Sequence, residues 1–246
     1  MSDEEVLAGG NMNAVVRVGD RVRRRSGPWT PTVHRFLLHL RSRGVGEVPE
    51  PLGMLEDGRE ALSFIRGEVP LYPMPAWVWS DRVLLDATAL LRRIHDASTD
   101  FDTRGARWQL PPRRPAEVVC HNDFSPHNLL FEHHRVTGVI DFDTCAPGPR
   151  VWDLAYLATR IVPLTAGGGD GSADWSELMR RTALLLEGYG SGPAVEDLLV
   201  VAVERLLDLA AFSERAADRL GKPELREHAD HYRADAKWLR RAAGLA

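Results

Sequence analysis

The segment that decides the fold reads His121-Asn122-Asp123-Phe124-Ser125-Pro126-His127-Asn128, and after an apolar stretch the chain continues as Ile140-Asp141-Phe142-Asp143. Carboxylate and amide oxygens are the ligands that Mg²⁺ prefers, so Asn128 and Asp141 are candidate metal ligands. Asp123 lies on the loop just before Asn128, where its carboxylate can accept a proton from a substrate hydroxyl. The segment therefore predicts metal-assisted phosphoryl transfer.

The apolar stretch between these two strings is predicted to be a β-hairpin with His133-His134 at its tip. That register places Asn128 opposite Val139. Asp141 would then lie about two residues further along, roughly 7 Å at about 3.3 Å per residue. One hydrated cation could touch both Asn128 and Asp141.

Length and composition are those of a globular protein. The chain has 246 residues, of which 44% are apolar and 27% charged, and its net charge is −4. Neither half is basic, which argues against a general nucleic-acid binder. Cys120 and Cys145 make no disulfide framework, and neither a signal peptide nor an apolar spanning segment is recognisable. We therefore expect a cytoplasmic protein that does not cross a membrane.

The order of predicted elements is that of an α+β fold. Residues 1–66 are predicted to form a small nucleotide-binding lobe, an antiparallel sheet with one helix, whose first hairpin turns at Gly19-Asp20. A proline-rich connector follows. Residues 67–246 are predicted to form a larger, mostly helical lobe that contains the hairpin, the catalytic loop and the acceptor site.

Three strings in this order, HNDFSPHNLLF at 121–131, GVIDFD at 138–143 and GPRVWDLA at 148–155, resemble the aminoglycoside phosphotransferase family of the protein-kinase-like superfamily. The resemblance implies a bilobal kinase-like fold that uses ATP or GTP and Mg²⁺. It also implies transfer of the γ-phosphate to a hydroxyl of a small acceptor, such as an aminoglycoside or another antibiotic.

The resemblance also implies roles for single residues. Asp123 would be the catalytic base, and Asn128 and Asp141 the metal ligands. Asp153 would be a buried carboxylate that steadies the catalytic loop, and His121 would pack beneath the metal-binding turn as a structural residue. Asp143 is an additional acid, either a further metal contact or a solvated turn carboxylate.

The small lobe departs from the family because it contains no lysine, the first in the chain being Lys222. An arginine must then hold the nucleotide phosphates. Strand alternation puts Arg24 on the same face as Val22, so we predict Arg24 as the phosphate ligand. The alternative is that the run Arg23 to Arg25 is a solvated basic edge.

Further nucleotide contacts are predicted at four places in the small lobe and at the start of the connector. His34 falls where the family has a glutamate on the helix. Gly9-Gly10 and Asn13 stand where a loop would cover the phosphates, although the Gly-x-Gly-x-x-Gly motif is absent. Phe64 and Ile65 begin the connector expected against the base of the nucleotide.

Three alternatives stay open at this level. The cluster could be a hydrolytic metal site, which would leave Asn128 unexplained, with the ligands His121, Asp123, His127, Asp141 and Asp143. The chain could also be a nucleotide-binding protein that has lost catalysis. Third, the acceptor could be a metabolic alcohol such as choline, homoserine or a sugar, because residues 150–246 balance 15 acids with 13 bases and offer a polycation little attraction.

Overall fold

The chain divides by its internal contacts into two compact units, which the computed structural model describes over residues 4–7, 15–168, 174–190 and 192–245. The first unit comprises Met1–Pro75 with Ala89–Arg150, and the second comprises Ala76–Thr88 with Val151–Ala246. Strands dominate the first unit and helices the second, which confirms the α+β class. Gly9-Gly10 and Asn13 lie outside the described residues, so the predictions made for them stay predictions, as does the division at residue 66.

An antiparallel sheet forms the beginning of the first unit. The order of its described strands is β1-β2-β3-β5-β4. They are β1 (Glu4–Leu7), β2 (Val15–Val18), β3 (Arg21–Arg25), β4 (Pro51–Met54) and β5 (Arg59–Ser63). Gly19, with a φ of +61°, turns β2 into β3, as predicted. Strand β1 was not predicted, because its glutamates are poor strand formers; it pairs with β2 across four residue pairs.

One helix of the first unit, α1 (Thr30–Ser42), has the predicted position and begins with Pro31 in its first turn. Its apolar residues recur at helical spacing and are buried, namely Val33, Phe36, Leu37 and Leu40. The Phe36 ring packs edge-to-face on Phe142, with 6.1 Å between ring centroids. This contact joins α1 to the turn that carries Asp141 and Asp143.

The second hairpin confirms the predicted tip but corrects the predicted register. Strands β7 (Leu129–Glu132) and β8 (Arg135–Val139) turn at His133-His134, both with positive φ. A bulge between Leu130 and Phe131 shifts the pairing by one residue, so Leu129 and not Asn128 lies opposite Val139. Asn128 instead accepts a hydrogen bond on its main-chain oxygen from the amide of Ile140 at 2.9 Å.

A short antiparallel pair, β6 (Val118–Cys120) and β9 (Ala146–Gly148), lies on either side of residues 121–145 in the chain, within the first unit. Cys120 and Cys145 are free thiols and buried, as expected. The predicted helices are also observed: α2 (Asp81–Ser98), α3 (Arg150–Ile161), α4 (Trp175–Tyr189), α5 (Val195–Leu220) and α6 (Glu224–Ala242). Over the part of the chain that is described, none of the helices combines the length and apolarity needed to cross a bilayer.

Candidate active site

In the predicted catalytic loop, Asn128 fixes the position of Asp123. The Asn128 amide nitrogen donates hydrogen bonds to the Asp123 carboxylate Oδ2 and to the Asp123 main-chain oxygen, both at 2.8 Å. Asn128 is itself held in a short helical turn, Pro126–Asn128, and is buried. Because both contacts to Asp123 use the amide nitrogen, the side-chain oxygen of Asn128 is the atom that a cation would bind.

His121 supports the same loop from below and is fully buried. Its Nδ1 accepts a hydrogen bond from the Asp123 amide at 3.2 Å, and its Nε2 donates to the carbonyl oxygen of Ile140 at 3.0 Å. These two bonds define one neutral tautomer. The ring packs on Phe142 with 4.6 Å between centroids. The geometry agrees with a structural role beneath the turn, and that role stays a prediction.

Two positions of the site adopt backbone conformations that are uncommon outside glycine. Asn122 has a φ of +65° and Asp141 a φ of +62°. Asparagine and aspartate tolerate this region better than other side chains. The Asn122 side chain donates to the carbonyl of Thr144 at 2.9 Å, which ties the loop to the turn after Asp141. Such a conformation costs about 1–3 kcal/mol and is typical of functional sites.

Arg24 of β3 reaches the turn that carries Asp141 and Asp143, the predicted metal-binding turn. Its Nη1 donates to Asp141 Oδ1 at 3.1 Å, and its Nη2 donates to Asp143 Oδ1 at 2.6 Å. Its Nε donates to Glu60 Oε1 at 2.8 Å. The Arg24 side chain is 12% exposed, whereas Arg25 is exposed at the surface. Arg24 is therefore not part of a solvated basic edge, while its role toward phosphate stays a prediction.

The charges of this cluster perturb one another. Burial alone would lower the pKa of Arg24, but the carboxylates of Asp143, Glu60 and Asp141 outweigh that effect and raise it above the usual range. Burial raises the pKa of Asp143 to about 6, although the Arg24 guanidinium opposes the shift. Arg24 therefore stays charged, and Asp143 titrates close to neutral pH when no divalent cation is bound.

Glu60 is the residue of this cluster that the sequence analysis missed. It lies on β5, is fully buried, and places Oε2 2.7 Å from His34 Nε2 while Oε1 holds Arg24. His34 is on α1 at the position predicted from the family, but it contacts the acid rather than the arginine. The missing signal was cross-strand pairing, since Arg24 of β3 lies directly opposite Glu60 of β5.

The remaining predicted residues are placed separately. Phe64 and Ile65 are half-buried after β5, and the Arg17 guanidinium lies 3.8 Å from the Phe64 ring centroid. Asp153 is fully buried on α3 of the second unit.

The predicted site residues of the first unit therefore form two groups. One group is Asp123 with Asn128 and His121, and the other is Arg24 with Asp141 and Asp143. The functions of all these residues remain predictions.

The donor set of the turn suits a hard divalent cation. Asn128, Asp141 and Asp143 supply amide and carboxylate oxygens, the ligand type that Mg²⁺ prefers. The guanidinium of Arg24 already lies between the carboxylates of Asp141 and Asp143, so these side chains converge on one positive charge. The same oxygens could hold Mg²⁺ beside a phosphate.

The raised pKa of Asp143 predicts a pH-dependent loss of stability. A carboxyl group whose pKa moves from 3.8 in the unfolded chain to about 6 in the folded protein stabilises the fold below pH 4 and loses that contribution as the pH rises through 6. With chelator present, we expect the free energy of unfolding to fall by about 2–3 kcal/mol more between pH 4 and pH 7 in the parent than in Asp143→Asn. Denaturant titrations at both pH values measure this difference. The same pH dependence in both proteins would contradict it.

Comparison with known proteins agrees with this geometry. Residues 100–185 match the phosphotransferase enzyme family. The chain is 32% identical over 232 residues to the trifolitoxin immunity protein of Rhizobium leguminosarum bv. trifolii, a match that covers 88% of this chain and 86% of that protein.

Solved structures share the fold at low sequence identity. A choline/ethanolamine kinase family protein from Mesorhizobium loti superposes with a TM-score of 0.67 at 17% identity, covering 99% of this chain and 92% of that one. The GDP complex of wild-type aminoglycoside 2'-phosphotransferase-IIIa superposes with a TM-score of 0.61 at 15% identity, covering 95% and 93%. The predicted protein-kinase-like fold is confirmed.

A kinase-like fold that carries the Asp123 and Asn128 loop and an aspartate on the next hairpin defines the class of small-molecule kinases, enzymes that phosphorylate hydroxyl acceptors. Within that class, the chain belongs to the phosphotransferase enzyme family, which confirms the resemblance seen in its motifs.

Proposed function

We propose that this small-molecule kinase transfers the γ-phosphate of ATP or GTP to a hydroxyl of its acceptor and that it requires Mg²⁺. The observation that carries the proposal is the convergence of Arg24, Asp141 and Asp143 in the unit that also holds the Asp123 and Asn128 pair. We also propose that it acts in the cytoplasm, where its two free cysteines would stay reduced.

The residues divide the reaction between them. Asp123, held in one orientation by Asn128, would accept the proton of the acceptor hydroxyl as that oxygen attacks the γ-phosphorus. The bond from the γ-phosphorus to the bridging oxygen would break, and ADP or GDP would leave. Arg24 would hold phosphate oxygens with its terminal amino groups. Asn128 and Asp141 would hold Mg²⁺, with Asp143 as a further ligand. The bound metal would neutralise charge on the phosphates. Positioning and electrostatic stabilisation supply most of the rate in such a transfer.

The acceptor that we propose is an antibacterial compound of low net charge with a free hydroxyl. A relative named for immunity to a toxin supports a toxic compound as the acceptor, and the shared fold of an aminoglycoside phosphotransferase supports an antibiotic. Residues 150–246, with 15 acids against 13 bases, offer little attraction to a polycation, which supports a weakly charged one. A metabolic alcohol such as choline, homoserine or a sugar is the alternative, supported by the shared fold of a choline/ethanolamine kinase family protein.

An acceptor screen tests this function. The chain is incubated with Mg²⁺, with ATP or GTP, and with a panel of macrolides, nucleoside antibiotics, aminoglycosides, choline, homoserine and sugars. Mass spectrometry then detects acceptors heavier by one phosphoryl group. We expect a product from a weakly charged antibiotic that disappears with chelator. Products from none of the panel, with nucleotide still bound, would favour the next candidate.

The second candidate is a nucleotide-binding protein without catalysis. One observation favours it: Arg24 occupies the carboxylates of both Asp141 and Asp143, where a metal would have to bind. This candidate predicts nucleotide binding that Mg²⁺ does not strengthen and no turnover with any acceptor. Calorimetric titration with and without Mg²⁺ separates the two candidates before any acceptor is known.

The arginines of β3 lead to a prediction about nucleotide affinity. We expect Arg24→Ala to weaken nucleotide binding or lower kcat by about 10- to 100-fold, because a charge-assisted contact to phosphate is worth about 1.5–3 kcal/mol. Arg23→Ala and Arg25→Ala should change either quantity less than about threefold, since solvated arginines contribute well under 1 kcal/mol. Arg24→Lys should keep part of the activity. Titrations on folded protein measure the series, and three equal small effects would reject the role of Arg24.

A further inference from the structure

Glu60 is a charged side chain in a place where charge is costly. It lies on β5, and its side chain is 1% exposed. A buried carboxylate is tolerated when hydrogen-bonded partners at both of its oxygens offset the cost of removing the charge from water. Glu60 has two such partners from two different elements, Arg24 on β3 and His34 on α1.

The contact with Arg24 is fixed by the sheet. Arg24 and Glu60 are directly opposite in the antiparallel register of β3 and β5, so the backbone sets the separation of the two side chains. Oε1 of Glu60 accepts a hydrogen bond from Nε of Arg24 at 2.8 Å. Because the guanidinium is planar, this bond restricts where Nη1 and Nη2 can lie, and they donate to Asp141 and Asp143 on the predicted metal-binding turn.

His34 fixes the acid in turn. Its Nε2 lies 2.7 Å from Oε2 of Glu60, the oxygen that Arg24 does not use. Helix α1 has no acidic residue between Thr30 and Ser42, so it contributes a histidine that holds the acid instead of an acid that holds the cation. Arg24, Glu60 and His34 thus form a chain of contacts across β3, β5 and α1.

We propose that Glu60, held by His34, is the positioning residue that aims the terminal amino groups of Arg24 at the phosphates of the nucleotide. This inference rests on the proposed function. The positioning acid comes from a strand next to Arg24, so the orientation of Arg24 follows from sheet register. A purely structural ion pair would leave phosphate affinity per folded molecule unchanged.

Calorimetric titration with Mg²⁺ and a non-hydrolysable analogue of ATP or GTP tests the proposal, with the matching nucleoside as the ligand that lacks phosphates. We expect Glu60→Leu to weaken binding of the analogue about tenfold or more, and to leave binding of the nucleoside within about twofold. Glu60→Gln should restore most of the loss, because its amide oxygen can still accept from Arg24 Nε. Analogue affinity in folded Glu60→Leu equal to that of the parent would overturn the proposal.

The matched control is Glu4→Gln, which removes a carboxylate 3.6 Å from Arg23, the neighbour of Arg24 on the same strand. This control should bind the analogue as the parent does. If Glu60→Leu does not fold, His34→Leu replaces it and should weaken binding of the analogue about threefold. Unchanged analogue affinity in His34→Leu would then overturn the proposal. A parent protein that binds neither analogue would overturn the proposed function itself, whereas a binding parent with unaffected variants overturns only the role of Glu60.

Discussion

Replacement of Asp123 by asparagine is expected to lower kcat at least about 100-fold while fold and nucleotide affinity are retained. The variant keeps the shape of the side chain but cannot accept the proton of the acceptor hydroxyl. Asn128 donates to Asp123 Oδ2 and to its main-chain oxygen, so the loop keeps at least the second of these bonds in the variant. Steady-state turnover with an identified acceptor measures the loss.

The control for this variant is Asp102→Asn, an exposed carboxylate of the same unit that binds Arg104. It should leave kcat unchanged, because it is a surface ion pair. Turnover of Asp123→Asn within about tenfold of the parent would reject Asp123 as the base. Loss of nucleotide affinity together with kcat would instead assign Asp123 to binding.

Replacement of Asp141 by alanine is expected to abolish the strengthening of nucleotide binding by Mg²⁺. Asp141 lies on a left-handed backbone position, and its side chain is 49% exposed although Arg24 donates to its Oδ1, so the carboxylate stays accessible to a hydrated cation. Without it, Asn128 and Asp143 would supply the remaining oxygens, and Asp143 is engaged by Arg24 at 2.6 Å. Titration of a non-hydrolysable nucleotide with and without Mg²⁺ measures the effect.

Glu132→Ala is the control for Asp141→Ala, since Glu132 is an exposed acid at the far end of the same hairpin. It should show the full Mg²⁺ effect of the parent. Equal Mg²⁺ enhancement in Asp141→Ala and in the parent would contradict the assignment of Asp141 as a metal ligand. Removal of the carboxylate also frees one terminal amino group of Arg24, so metal-free nucleotide affinity should not fall.

The second hairpin shows what local sequence patterns can and cannot predict. Its tip at His133-His134 was predictable, because two short apolar runs flank a polar stretch that leaves two residues for a turn. The register was not predicted, because the bulge beside Phe131 leaves Thr137 of β8 without a partner in the pairing. Its local mark in the sequence is Gly138, since an isolated glycine within a strand often accompanies a bulge. One extra residue moved Leu129 to the place predicted for Asn128.

The cluster around Arg24 marks a second limit of sequence reasoning. Strand alternation picked Arg24 out of three consecutive arginines, and the structure buries it as predicted. Its acid was sought on α1 by analogy with the family, whereas Glu60 comes from β5, 36 residues away in the chain. A pairing scheme for β3 and β5 would have found it. Propensity and periodicity describe single elements and do not contain this long-range information.

A crystal structure with Mg²⁺ and a non-hydrolysable nucleotide tests the central claim most directly, since it locates phosphate, metal and Arg24 in one measurement. We predict that the metal is bound by Asn128 and Asp141 and that the terminal amino groups of Arg24 contact a phosphate oxygen. Glu60 should still hold Arg24 Nε. A nucleotide whose phosphates lie away from these residues, with Arg24 still bound to Asp141 and Asp143, would contradict the claim.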